Sequence, residues 1–189
     1  MNKKTIDQGI QVSEAFKIAH QMLYSYELTR WQGTRDYRPF DYLTREEAAR
    51  FMVEFAINVL CRKPNRSYVD NFNDIENANP TLAKYIRMSY EYDIFHGDQV
   101  NDSSKTSTTF RPLDKISRDE IIATMVRLVT NEYNEGEGDS WASKYKVFLN
   151  RHVKAQLNSN SRQDIAVTIY DLYRNNDYHM ESIGYVINQ

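Results

Sequence analysis

One cysteine, Cys61, stands among 189 residues. No intrachain disulfide can form and no cysteine-rich metal site exists. Cys61 ends the apolar run "FMVEFAINVLC", and a small buried hydrophobe is expected there. No stretch is apolar over the roughly 18–20 residues that a membrane span needs. The opening "MNKKTIDQGIQ" is basic but carries no apolar core after it, so it is not a complete signal peptide. If the protein works outside the cell, its export signal has been removed or lies outside this sequence. Neither charge is in great excess: the formal net charge is −2 and the pI about 6.1, which gives no basic face for a nucleic acid.

Catalytic patterns are missing too. The histidines are His20, His96, His152 and His179, with no HxH or HxxxH pair, so no zinc site is expected. The acidic stretch Asn134 to Asp139 lacks the ordered Asp-x-Asp-x-Asp-Gly pattern of a calcium loop and reads as a solvated linker. There is no GxSxG, phosphate loop or GxGxxG. Neither an enzyme nor a cofactor is expected.

What is present is an ordinary globular composition, 41% hydrophobic, with 14 tyrosines. A chain of this length buries roughly 70% of its unfolded surface and folds without staples. Helical periodicity dominates. Phe16, Ala19, Leu23 and Tyr26 recur at spacings of three and four, as do Ala48, Met52, Phe55 and Val59, and Ile122, Met125, Val126 and Val129. "TLAKYIRMSYEYDIF", "KYKVFLNRHV" and "RQDIAVTIYDLY" are further helical segments. Alternation of period two is absent, so any strand is short.

One phrase is written twice. "YRPFDYLTREEAARFM" (37–52) and "FRPLDKISRDEIIATM" (110–125) share aromatic, Arg, Pro, x, Asp, x, aliphatic, hydroxyl, Arg, acid, Glu. "NSRQDIAVTI" is a remnant of it. Helix, loop, phrase and second helix make a unit. The units span 11–62, 68–131 and a degenerate 140–175, with an N-terminal extension 1–10 and a tail 176–189. Each is too small to be stable alone, so the three are expected to pack as one compact module.

Helix initiation explains much of the phrase. Thr44 with Glu47, and Ser117 with Glu120, fit the capping box; Ser161 with Asp164 is a shortened form. Leu43 and Ile116 precede the caps as apolar staples, and Pro39 and Pro112 hold the chain extended. The arginines remain. Arg45, Arg118 and Arg162 fall at the first helical position, where the macrodipole disfavours a cation by a few tenths of a kcal/mol. Either each binds an acid of a neighbouring unit, or each joins the free helix amides in gripping an external anion. The residues leave both open.

The phrase, preceded by a helix and a glycine turn, resembles the S-layer homology (SLH) repeat. Unit two is the closest: Phe72-Asn73-Asp74-Ile75, then "YIRMSYEYDIFHG" ending on Gly97, then "TFRPLDKISRDE". Unit one offers Gly33 and "YRPFDYLTREE". Unit three offers Trp141-Ala142 and Ser161-Arg162-Gln163-Asp164. The first glycine of the family's turn is Glu27 in unit one and Asp93 in unit two, and unit three has no glycine turn.

The resemblance implies an all-α fold of three helix-loop-helix repeats packed as a pseudo-threefold bundle. It implies a non-covalent anchor for an acidic, pyruvylated-type cell-envelope glycopolymer bound between repeats. The partner would be a secondary cell-wall polymer or peptidoglycan-linked glycan, together with envelope or surface-layer subunits, at an extracellular location. By position, Arg45, Arg118 and Arg162 become anion contacts, and Gly33 and Gly97 line the sugar site with Trp31 and His96. The alternative is a protein–protein assembly module of the same fold that has lost sugar binding, its arginines serving as struts between repeats. Burial of Arg45 and Arg118 separates the two.

Overall fold

The computed structural model describes residues 12–69, 72–99, 108–132, 141–154 and 157–175. The N-terminal extension, the tail with His179 and the acidic stretch 134–139 lie outside the described residues.

The chain is predominantly helical. Among the described residues six α-helices run in order: α1 (Glu14–Ser25), α2 (Arg45–Asn58), α3 (Ala83–Glu91), α4 (Arg118–Thr130), α5 (Ser143–His152) and α6 (Arg162–Arg174). A 3-10 turn at Ile75–Asn77 precedes α3. Among the described residues the strands are two short ones, β1 (Asp98–Gln99) and β2 (Thr108–Thr109), paired antiparallel.

Side-chain caps start α1, α2, α4 and α6, whereas α3 and α5 have none. Ser13 caps α1, its hydroxyl accepting from the Phe16 amide at 3.1 Å. α2 and α4 open with complete capping boxes, Thr44 with Glu47 and Ser117 with Glu120. α6 has half of one: Ser161 accepts from the Asp164 amide, while the Asp164 carboxylate accepts from Ser159 instead. A cap of this kind is worth about 1 kcal/mol.

The first helix of each of the first two units ends in a left-handed residue, Glu27 (φ 59°) and Asp93 (φ 57°). The Leu28 amide then reaches back to Leu23 O (2.8 Å), and the Ile94 amide to Ser89 O (2.9 Å). The turn therefore holds an L-residue in the left-handed region, at a cost of roughly 1–2 kcal/mol. Both closures bury the next residue, Leu28 and Ile94.

Cys61 is exposed, contrary to the expectation of a buried hydrophobe. α2 stops at Asn58, and the Leu60 and Arg62 amides fold back onto Phe55 O and Ala56 O. That closure sets Cys61 at φ 52° on the outside of the turn. Arg62 beyond it caps the carboxyl end of α4, donating to Leu128 O (2.8 Å), and also reaches Tyr92 O (2.7 Å).

α2 packs against α3, α4 against α5, and α6 against α1; α4 also meets α2 and α6. The core between them holds Phe16, Leu23, Met52, Phe55, Ile86, Met125 and Ile165, all essentially free of solvent. Each contributes about 1.5–3 kcal/mol by leaving water. The staples Leu43 and Ile116 are buried in the same core.

Candidate functional site

The three arginines all stand at the first position of their helices: Arg45 in α2, Arg118 in α4, Arg162 in α6. They do not share one fate. Arg45 is 3% exposed. Its Nε donates to Phe110 O (2.6 Å), its Nη1 pairs with Glu120, and its guanidinium lies over the rings of Phe95 and Phe110. Glu120 is also the residue that closes the capping box of α4, accepting from the Ser117 amide at 2.7 Å. One carboxylate thus caps its own helix and takes the first arginine of another.

Arg162 repeats the arrangement. Its Nη2 donates to Glu47 Oε1 at 2.6 Å, and Glu47 is the capping glutamate of α2. Each of these helix starts is also met by a backbone. The Arg45 and Glu46 amides donate to Asp114 O (2.8 Å) and Pro112 O (3.1 Å). The Arg162 and Gln163 amides donate to Asp41 O (2.9 Å) and Pro39 O (2.8 Å). The Pro-x-Asp segment of one phrase therefore supplies the carbonyls that satisfy the free amides of another helix.

Arg118 is exposed and makes no ion pair among the described residues. The Arg118 and Asp119 amides likewise have no acceptor there. By position its counterpart acid would be Asp164, which is one methylene shorter than Glu47 and Glu120 and is held by Ser159.

A groove of about 980 Å³ runs beside Arg118, lined also by His96, Gly97, Trp141 and the buried Arg45. Four arginines and three carboxylates line it. His96 sits edge-on to Tyr90, its Nε2 3.5 Å from the Asp93 carboxylate. Trp31, Gly33 and Arg162 lie outside this groove. Trp31 is 42% exposed with the Arg30 guanidinium stacked 4.5 Å from its ring centre.

The two glycines differ in what requires them. Gly97 has φ +75°, and a Cβ there would meet Phe72 Cε1 at 2.6 Å and Thr109 O at 2.9 Å. Close packing of the turn onto Phe72 and β2 accounts for that glycine without any ligand. Gly33 is outside the left-handed region, and a Cβ there would touch only Asp36 Oδ2 at 3.4 Å.

Two residues of the phrase were overlooked as site candidates, Arg38 and Arg111. Both sit before proline in the left-handed region, φ 56° and 57°. Each grips the aspartate three residues on, Asp41 or Asp114, at 3.2 Å. Each also approaches its unit's capping glutamate: Arg111 reaches Glu120 at 2.6 Å and Arg38 lies 3.9 Å from Glu47. Their repetition between the aromatic and the proline was the available signal. Burial alone would raise the Glu120 carboxyl. Arg45, the Ser117 amide and hydroxyl, and Arg111 outweigh burial and hold it below the usual carboxylate range. Burial lowers Arg45, opposed first by Glu120, and a guanidinium stays charged throughout.

No group of three or more metal-ligating side chains occurs among the described residues, and no helix among them is long and apolar enough to cross a membrane. No family model matches the sequence, and no curated protein matches it.

Proposed function

We propose that the three units close on one another as a pseudo-threefold SLH-type module whose groove beside α4 binds an acidic cell-envelope glycan. One observation carries this reading: Arg118 is exposed at the start of α4, beside His96, Gly97 and Trp141, with no ion-pair partner among the described residues. A guanidinium next to open helix amides suits a carboxylate, and an aromatic ring beside them suits the apolar face of a sugar. On this reading Arg45 and Arg162 hold units together, and Trp31 and Gly33 lie outside the groove it uses. The ligand would be a secondary cell-wall polymer or a peptidoglycan-linked glycan with acidic substituents, and the protein would work in the extracellular envelope as a tether for a surface layer or surface protein.

A second reading, an assembly module without sugar binding, draws support from Arg45 and Arg162, both spent on carboxylates of the same chain. Retention on purified envelope polymer separates the two. Loss of retention in Arg118→Ala with an unchanged melting temperature supports the glycan site. Equal retention of wild type and Arg118→Ala leaves the assembly reading standing.

A further inference from the structure

Among the described residues, the starts of α2, α4 and α6 are joined by an ion pair along two edges and not along the third. Between α2 and α4 lie the Arg45 pair with Glu120 and two backbone bonds onto Pro112 and Asp114. The Ile116 amide adds a bond to Leu43 O at 3.1 Å. Between α2 and α6 lie the Arg162 pair with Glu47 and two backbone bonds onto Pro39 and Asp41. Between α4 and α6 the position that should hold a capping glutamate is Asp164. Its carboxylate takes the Ser159 hydroxyl at 2.7 Å, and Asn160 Nδ2 donates to Ile116 O at 3.0 Å.

A second cleft lies between the start of α4 and α5, lined by Arg118, Ile122, Lys146, Leu149, Asn150, Val153 and Leu157. Its lining mixes aliphatic side chains with Arg118, Lys146 and Asn150. At the start of α2, by contrast, the Arg45 guanidinium is buried over the rings of Phe95 and Phe110.

We infer that the amino-terminal ends of α4 and α6 are the built-in opening point of the bundle, because Asp164 is too short to latch Arg118. Two edges each carry a buried or half-buried charged pair backed by main-chain bonds. Local opening follows the distribution of such contacts and starts where they are fewest. α5 packs on α4 and is tied to its first turn by Lys146, 2.8 Å from the Asp119 carboxylate, so it follows the opening of that turn. The inference rests on hydrogen bonds rather than on glycan binding, so it stands or falls separately from the proposed function.

Hydrogen–deuterium exchange on the full chain tests it, with wild type, Asp164→Glu, and Asp164→Glu combined with Arg118→Ala. In wild type, the first turn of α4 and the whole of α5 should exchange faster than the first turn of α2. Asp164→Glu supplies the missing methylene. It should slow exchange in α4 and α5 and raise the melting temperature by about 2–4 °C, the scale of one added latch in a chain of this size. The gain should vanish when Arg118 is also removed. Equal exchange at the α2 and α4 starts would overturn the inference. So would an Asp164→Glu protein that exchanges like wild type, or a gain that survives loss of Arg118, since that gain would come from the capping box alone.

Discussion

Arg162, the first residue of α6, donates to Glu47, the residue that caps α2, across 2.6 Å and 115 positions of sequence. Arg45 and Glu120 stand in the same relation. A cation that is mildly unfavourable at a helix start is therefore placed against a carboxylate belonging to another helix start. The arginine that looked out of place for its own helix serves the packing of two helices.

Removing the buried partner should be costly. Arg45→Ala leaves Phe110 O without its donor and empties the space over Phe95 and Phe110. Breaking a buried pair from one side costs about 3–5 kcal/mol, which urea unfolding should report as a large drop in midpoint at an unchanged slope. A loss within the noise of a surface substitution would show that Arg45 is not a strut.

Acid should release the same latch. The Glu120 carboxyl titrates below its ordinary value in the folded chain, and an unfolded glutamate titrates near 4.3. The folded state thus holds fewer protons in this window. The stabilisation is complete above about pH 4.3 and is lost as the pH falls through the lower folded value. Urea midpoints between pH 3 and 7 should fall more steeply at the acid end for wild type than for Glu120→Gln. Parallel curves would contradict the assignment.

The glycines give a contrast within one chain. Gly97→Ala forces a side chain at φ +75° into Phe72 and the Thr109 carbonyl, and a loss of about 1–3 kcal/mol is expected. Gly33→Ala meets nothing closer than 3.4 Å and should be neutral or stabilising by up to about 1 kcal/mol. Thermal melts of the two variants decide it, and equal losses would remove the packing account of Gly97.

The caps should follow their completeness. Thr44→Ala and Ser117→Ala each break a closed capping box and should cost about 1 kcal/mol. Ser161→Ala breaks only the half-formed one, so its loss of midpoint should be smaller. A larger loss at Ser161 would mean that α6 depends on that residue for something other than capping.

The helix starts were legible in the sequence because capping is local: Thr44, Ser117 and Ser161 reach amides three residues away. Where each arginine goes was not legible. Arg45 and Glu120 are 75 positions apart, and nothing near Arg45 says whether it meets a carboxylate or solvent. Arg118 carries the same local context as Arg45 and ends exposed, while Asp164, where the other two helices have glutamate, is held by Ser159. Cys61 was misread for a related reason. Its apolar run continues past the end of α2, and the chain reversal at Leu60 and Arg62 turned it outward. Arg38 and Arg111 were visible as a repeat, but their left-handed backbone and their grip on Asp41 and Asp114 needed coordinates.

The central claim is a division of labour among three arginines in equivalent positions, and binding affinity for purified acidic envelope polymer measures it most directly. Arg118→Ala should weaken binding about tenfold to a hundredfold, the scale of one hydrogen-bonded charge contact, with no change in melting temperature. Unaltered affinity in Arg118→Ala, measured beside a wild type that binds, would contradict the account.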